Sequence, residues 1–211
     1  MIRTLALATL FAVVSLPAFA QEETAPPPAS PAEQARDLAA SLCAACHGPD
    51  GNSPASSFPR ISGHGKAYII KQLADFKATR RSDPSMDGTI AAVEPVLFPY
   101  LADWFSQQKS AGTPPITADD ALIERGKRLW RAGDAAKGIP ACAACHGTTG
   151  AGLEAQYPRL SAQYPEYLEK QILAFRNGER SNDPESMMRV IAERLLDKDV
   201  KAVSAYAAGL R

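Results

Sequence analysis

Apolar residues recur at helical spacing along most of this chain. Ile69, Leu73 and Phe76 lie four and three residues apart and mark the buried stripe of a helix over about Lys66–Thr79. Leu97, Leu101, Trp104 and Phe105 mark the inner face of a second helix ending near Lys109, and Val200, Val203, Ala207 and Leu210 that of a last one. Start signals add two more. Ser30-Pro31 offers an N-cap and a first-turn proline for a helix running to Cys43. Thr117-x-x-Asp120 resembles a capping box and opens a helix through Trp130. Glycine- and proline-punctuated stretches at 48–65, 81–86, 110–116 and 133–140 read as loops. No alternating pattern reaches strand length, so the fold class is all-α.

The pattern occurs twice. Phe58-Pro59-Arg60-Ile61-Ser62 returns 99 residues later as Tyr157-Pro158-Arg159-Leu160-Ser161. Tyr68-x-x-Lys71-Gln72 returns as Tyr167-x-x-Lys170-Gln171, and Arg81-Ser82-Asp83-Pro84 is answered by Arg180-Ser181-Asn182-Asp183-Pro184. Internal repetition of this kind predicts two tandem helical domains, at 32–110 and 117–211, joined by a linker at 111–116.

The amino terminus has a different logic. Arg3, an apolar run from Leu5 to Leu16 and Ala18-Phe19-Ala20 form a secretory signal peptide over 1–20, cleaved near Ala20. An uncleaved anchor is the competing reading, but the run is shorter than the ~20 residues a spanning helix needs. Residues 21–31, with Pro26-Pro27-Pro28, read as a disordered leader. The expected location is a bacterial periplasm, with the mature chain soluble or peripherally membrane-associated and monomeric. Removing 20 of the 211 residues leaves 191, room for two small domains. Twenty-three basic residues balance 23 acidic ones, so nothing suggests the basic patch of a nucleic-acid binder.

The candidate chemistry sits at one place in each repeat. Cys43-Ala44-Ala45-Cys46-His47 and Cys142-Ala143-Ala144-Cys145-His146 have the spacing of c-type haem attachment. Two thiols one helical turn apart can add to the two vinyl groups of a porphyrin. The histidine behind them then lies under the ring and can bind iron. A zinc ribbon would place its Cys-x-x-Cys pairs roughly 15–20 residues apart, far less than here. A redox disulfide would not need a histidine directly behind both copies. All four cysteines of the chain belong to these motifs, so two covalently bound haem c groups are expected and no free thiol is left.

Iron held by one histidine has a second axial position. Apart from Met1, the methionines are Met86, Met187 and Met188, all in the Asp-Pro segment that follows each long helix. Their polar setting points to thioether ligation rather than core filling. His64 occupies the position of Gln163 and reads as a loop residue. Arg60 and Arg159 are candidate partners of the haem carboxylates, with solvated loop arginines as the alternative.

Taken in order, the two Cys-x-x-Cys-His-Gly motifs, the Phe/Tyr-Pro-Arg-(Leu/Ile)-Ser segments, the Tyr-x-x-Lys-Gln helices and the methionine segments resemble the dihaem cytochrome c4 family. The resemblance runs from about Ala32 to Arg211, each half being similar to a class I cytochrome c. It implies periplasmic electron carriage from an upstream donor toward a terminal oxidase, and His/Met iron in both halves. In that fold a proline carbonyl orients the ligating histidine; Pro59 and Pro158, each 12 residues beyond its histidine, match it. The second half's Leu195-Leu196-Asp197-Lys198-Asp199 resembles the family's helix start, whereas the first half has Val93-Glu94-Pro95-Val96-Leu97-Phe98-Pro99. Pro99 is tolerable there only in a first turn.

Choosing between Met187 and Met188 rests on register. Met86 to Trp104 is 18 residues, as is Met188 to Tyr206. One residue turns a helical side chain by ~100°, so the axial set is expected to be His47 with Met86 and His146 with Met188. The reading is therefore an electron carrier and not an enzyme. The alternatives are a subunit of a larger dehydrogenase or oxidase complex, or a dihaem enzyme such as a peroxidase.

Overall fold

The computed structural model describes residues 29–153 and 156–210. The expected signal peptide and all but the last three residues of the expected leader lie outside the described residues.

In the first half, α1 (Pro31–Leu38) begins at Ser30, whose hydroxyl accepts from Glu33 N while the Glu33 carboxylate accepts from Ser30 N. The helix continues through a π-helical segment (Ala39–Cys43) directly into α2 (Ala44–His47). Next come α3 (Lys66–Lys77), α4 (Pro84–Ala91), a 3-10 turn (Pro95–Leu97) and α5 (Phe98–Ser106). Buried Ala35 and Ala39 let α1 approach α5, and Ile69, Phe76, Ile90, Val93, Phe98, Leu101 and Phe105 fill the space between them. Pro99 lies in the first turn of α5, where no helical hydrogen bond is lost.

The second half repeats the scheme with α6 (Asp120–Ala132), α7 (Ala143–His146), α8 (Pro165–Arg176), α9 (Met187–Arg194) and α10 (Asp197–Ala208). Helix α10 packs on α6 and α8. The α6–α10 crossing is close enough to require Gly126: a Cβ there would overlap Ala202 O and come 2.7 Å from Tyr206 Cβ. Among the described residues there is no strand, only two isolated bridges. The fold is all-α, as expected.

Two local expectations are corrected. The cap of α6 is Asp119, whose carboxylate accepts from Leu122 N at 2.7 Å, rather than Thr117. Asp can fill either role, and Asp119 stands two residues nearer the apolar stripe than Thr117. The 81–86 loop ends earlier than expected. Asp83 caps α4 and Pro84 is its first residue, so Met86 sits in a helical first turn.

Burial shows where the repeats change register. From Cys43/Cys142 to Arg81/Arg180 equivalent residues are 99 apart. Beyond the methionines the buried pairs Ile90/Ala192, Val93/Leu195, Phe98/Val200, Leu101/Val203 and Phe105/Ala207 are 102 apart. The added length is taken up around Glu185 (φ 50°) and Ser186 (φ 57°), consecutive non-glycine residues in the left-handed region.

Candidate cofactor sites

Each haem-type motif is a single helical turn closed by a glycine of positive φ, Gly48 or Gly147. That turn puts both cysteines of a motif on one side, with the histidine beneath them. Three residues further on, Gly51 and Gly150 fold the loop back. Gly51 O accepts from Ile61 N and Ser62 N, and Gly150 O accepts from Leu160 N and Ser161 N. This return carries Pro59 and Pro158 to the histidines. His47 Nδ1 donates to Pro59 O at 2.8 Å, and His146 Nδ1 donates to Pro158 O at 3.0 Å. A carbonyl can only accept, so the proton is on Nδ1 and the Nε2 lone pair is free. Both imidazoles are buried, and burial holds their pKa below the usual histidine value against the opposing proline bond. Burial likewise pushes the Cys43 and Cys142 thiols up to about 11.

These side chains face one continuous cavity of about 700 Å³ that runs through both halves. Cys43, Cys46, His47 and Met86 line it from one side, and Cys142, Cys145, His146, Met187 and Met188 from the other. Met187 also lines a separate groove beside Pro140 and Val190, which Met188 does not reach. Arg60 and Arg159 border the same cavity, each with a buried Nε that has no hydrogen-bond partner.

The boundary between the halves is built from residues repeated in both. Arg81 stacks on Phe76 of its own half (4.6 Å) and donates across to Tyr167 Oη (2.8 Å) and Gln171 Oε1 (3.0 Å). Arg180 stacks on Phe175 (4.5 Å) and donates across to Tyr68 Oη (3.4 Å) and Gln72 Oε1 (3.2 Å). Asn182 bonds Gln72 and Asp75, and Tyr164 Oη donates to Ser53 O at 2.7 Å. The Tyr-x-x-Lys-Gln recurrence is visible in the sequence, whereas its role at this boundary is not. The signal was there: polar residues held in register in both copies, on helices that also carry an apolar stripe.

Among the described residues no carboxylate lies within ion-pair distance of Arg60, Arg81, Arg159 or Arg180. Although Asp83, Asp183 and Glu179 also border the cavity, the unpartnered Nε groups of Arg60 and Arg159 favour a ligand with an anionic edge. Free imidazole nitrogens, paired thiols on one face, apolar walls and this cationic boundary are the donor set of a porphyrin with carboxylate side chains. The residues fit haem.

Residues 123–210 match the cytochrome c family. Cytochrome c4 of Azotobacter vinelandii is 43% identical over 183 residues, covering 81% of this chain and 85% of that protein. A thiosulfate dehydrogenase electron acceptor of Thiomonas intermedia is 36% identical over 170 residues, covering 80% and 78%. The crystal structure of reduced recombinant cytochrome c4 from Pseudomonas stutzeri superposes with a TM-score of 0.79 at 38% identity, covering 85% of this chain and 98% of that one. Fold and site together define a c-type cytochrome of two tandem helical halves, an electron-transfer protein whose cofactor is haem c. Within that class, the chain belongs to the cytochrome c4 family. No helix among the described residues is long and apolar enough to cross a membrane.

Proposed function

We propose that the chain carries two covalently bound haem c groups and passes single electrons between periplasmic partners, from an upstream donor toward a terminal oxidase. The supporting observation is that two complete donor sets open into one cavity. Cys43 and Cys46, and Cys142 and Cys145, would hold the porphyrins as thioethers. His47 with Met86, and His146 with Met188, would bind the irons axially. Pro59 and Pro158 hold the imidazoles by Nδ1 and so leave Nε2 free for iron, and Arg60 and Arg159 would offer guanidinium N–H groups to the haem carboxylates. Haem supplies reversible one-electron storage, and a methionine ligand raises its potential. The chain's task is to keep both sites closed to exchangeable ligands, to bury them in an apolar wall, and to hold them together across the Arg81 and Arg180 clasps. We assign the domains to 32–110 and 117–211, with export of the mature chain after Ala20.

Intact mass is the first test: two haems resistant to acid-acetone extraction are expected, and one or none overturns the assignment. Met188→Ala should then abolish one haem's methionine-to-iron near-infrared band and lower its potential, whereas Met187→Ala should do neither. The opposite pattern would make Met187 the ligand. A second reading concerns the donor, since a relative is named as an acceptor for thiosulfate dehydrogenase. Rapid reduction of the purified holoprotein by such a dehydrogenase with thiosulfate would support it; no reduction would refute it.

A further inference from the structure

His64 and Gln163 occupy equivalent positions, 99 residues apart, yet they meet the boundary differently. Gln163 uses both ends of its amide: Oε1 accepts from Arg60 N at 3.0 Å and Nε2 donates to Arg60 O at 2.8 Å. His64 is equally enclosed, at 9% exposure, and its ring centroid lies 5.4 Å from that of Tyr68. It borders the cavity, and its Nδ1 has no hydrogen-bond partner. Leaving such an atom unpaired costs about 1–3 kcal/mol.

The surroundings say what kind of partner is missing. Tyr68 lies on α3, Arg81 follows α3, and Arg159 comes from the loop before α8; the Arg60 backbone completes the shell. Arginine cannot accept a hydrogen bond, Tyr68 Oη accepts from Arg180 and makes no hydrogen bond to His64, and the Arg60 carbonyl beside the ring already accepts from Gln163 Nε2. Without an anion the imidazole is held neutral, its pKa pulled down to about 4 by burial first, against the Arg60 backbone, with Arg159 and Arg81 adding to the effect. An acceptor that fits this shell is anionic, small and presented from the cavity side.

We propose that His64 Nδ1–H donates to a haem carboxylate at the boundary between the halves, coupling the protonation of His64 to the charge on one iron. The inference rests on the two-haem reading. One electron from a redox partner reduces the iron, and one proton from solvent is taken up on His64 Nε2; no other bond forms or breaks. Added negative charge favours the imidazolium, so the coupled potential falls as pH rises. Gln163, which cannot titrate, gives the other half no such response.

The test is a redox titration of the holoprotein from about pH 5 to 9, after intact mass has established the haem count. One of the two potentials should fall with rising pH in the unmodified protein. His64→Gln should remove at least half of that slope, leaving haem content and the other potential's pH profile unchanged. Gln163→His should add a slope to the second potential, and it decides the matter if His64→Gln does not fold. An unmodified protein with no slope, or a slope that survives His64→Gln, overturns the proposal. So does a His64→Gln protein that only melts earlier. A mass with fewer than two haems would instead overturn the cofactor assignment.

Discussion

The two halves hold the same cofactor-facing groups on differently built scaffolds. In the first, α1 runs through a π-helical segment straight into Cys43, and one apolar cluster fills the half. In the second, α6 stops at Ala132 and residues 133–141 form a loop that inserts Ile139 between Leu195 and Val200. The core there divides into that group and a second one around Trp130, Leu168 and Val203. Leu97 and Asp199 stand at equivalent positions, 102 apart, and both are buried. One packs against hydrocarbon. The other is a carboxylate that accepts from Arg125, Lys137 and Leu196 N. What stays constant is the glycine-closed turn, the histidine–proline bond and the boundary arginines. Under the proposed two-haem assignment these are the groups the cofactor would constrain, while different packings support them in the two halves.

The largest expected effect tests the tight crossing. Gly126→Ala forces α6 away from α10 and should destabilise the second half by about 3 kcal/mol or more, as severe overpacking does. At Ala35, the buried small residue where α1 meets α5, Ala35→Gly should cost only about 1 kcal/mol. Separate thermal transitions, or site-resolved hydrogen exchange, would read both; equal losses would mean the crossings are alike.

Next is the buried carboxylate. Asp199→Asn strands Arg125 and Lys137 without their anion and should cost about 3 kcal/mol. Burial alone would raise the Asp199 pKa, but Arg125, the Leu196 amide and Lys137 outweigh it and lower it. A lowered folded pKa gives stability that is present above the ordinary carboxylate range and lost as pH falls through the folded value. The stability advantage of the unmodified protein over Asp199→Leu should therefore shrink from pH 7 to pH 3. Chemical denaturation at pH 3 and pH 7 checks this, and an unchanged difference would refute it. The smallest effect is at the rim. Lys170→Ala removes an exposed pair with Asp83 across the boundary and should change stability by less than about 1 kcal/mol.

Much of this was legible beforehand because it depends on period and on exact repetition. The stripe Ile69–Leu73–Phe76 needs only helical geometry, and the two haem-type motifs need only their spacing. The proline carbonyls were reachable through the family resemblance. Other features depend on tertiary context. Ala39-Ala40-Ser41-Leu42 gives no local sign of a π-helical turn, because the same residues suit an α-helix. His64 lies among glycines in a segment that reads as loop, yet it is buried beside Tyr68, Arg81 and the Arg60 backbone of its own half and Arg159 of the other. Residues far apart in sequence create that environment, and no single-chain periodicity reports it.

The left-handed pair Glu185–Ser186 has a consequence for how such a gene can change. Three extra residues separate Arg180 from Met188 compared with Arg81 and Met86, yet helix packing downstream keeps its phase. The backbone there behaves as an expansion joint, where insertions and deletions are absorbed before they reach α9 and α10. A change of length at this point should leave the helix packing downstream in phase, whereas the same change inside α9 or α10 would rotate their buried faces out of the core.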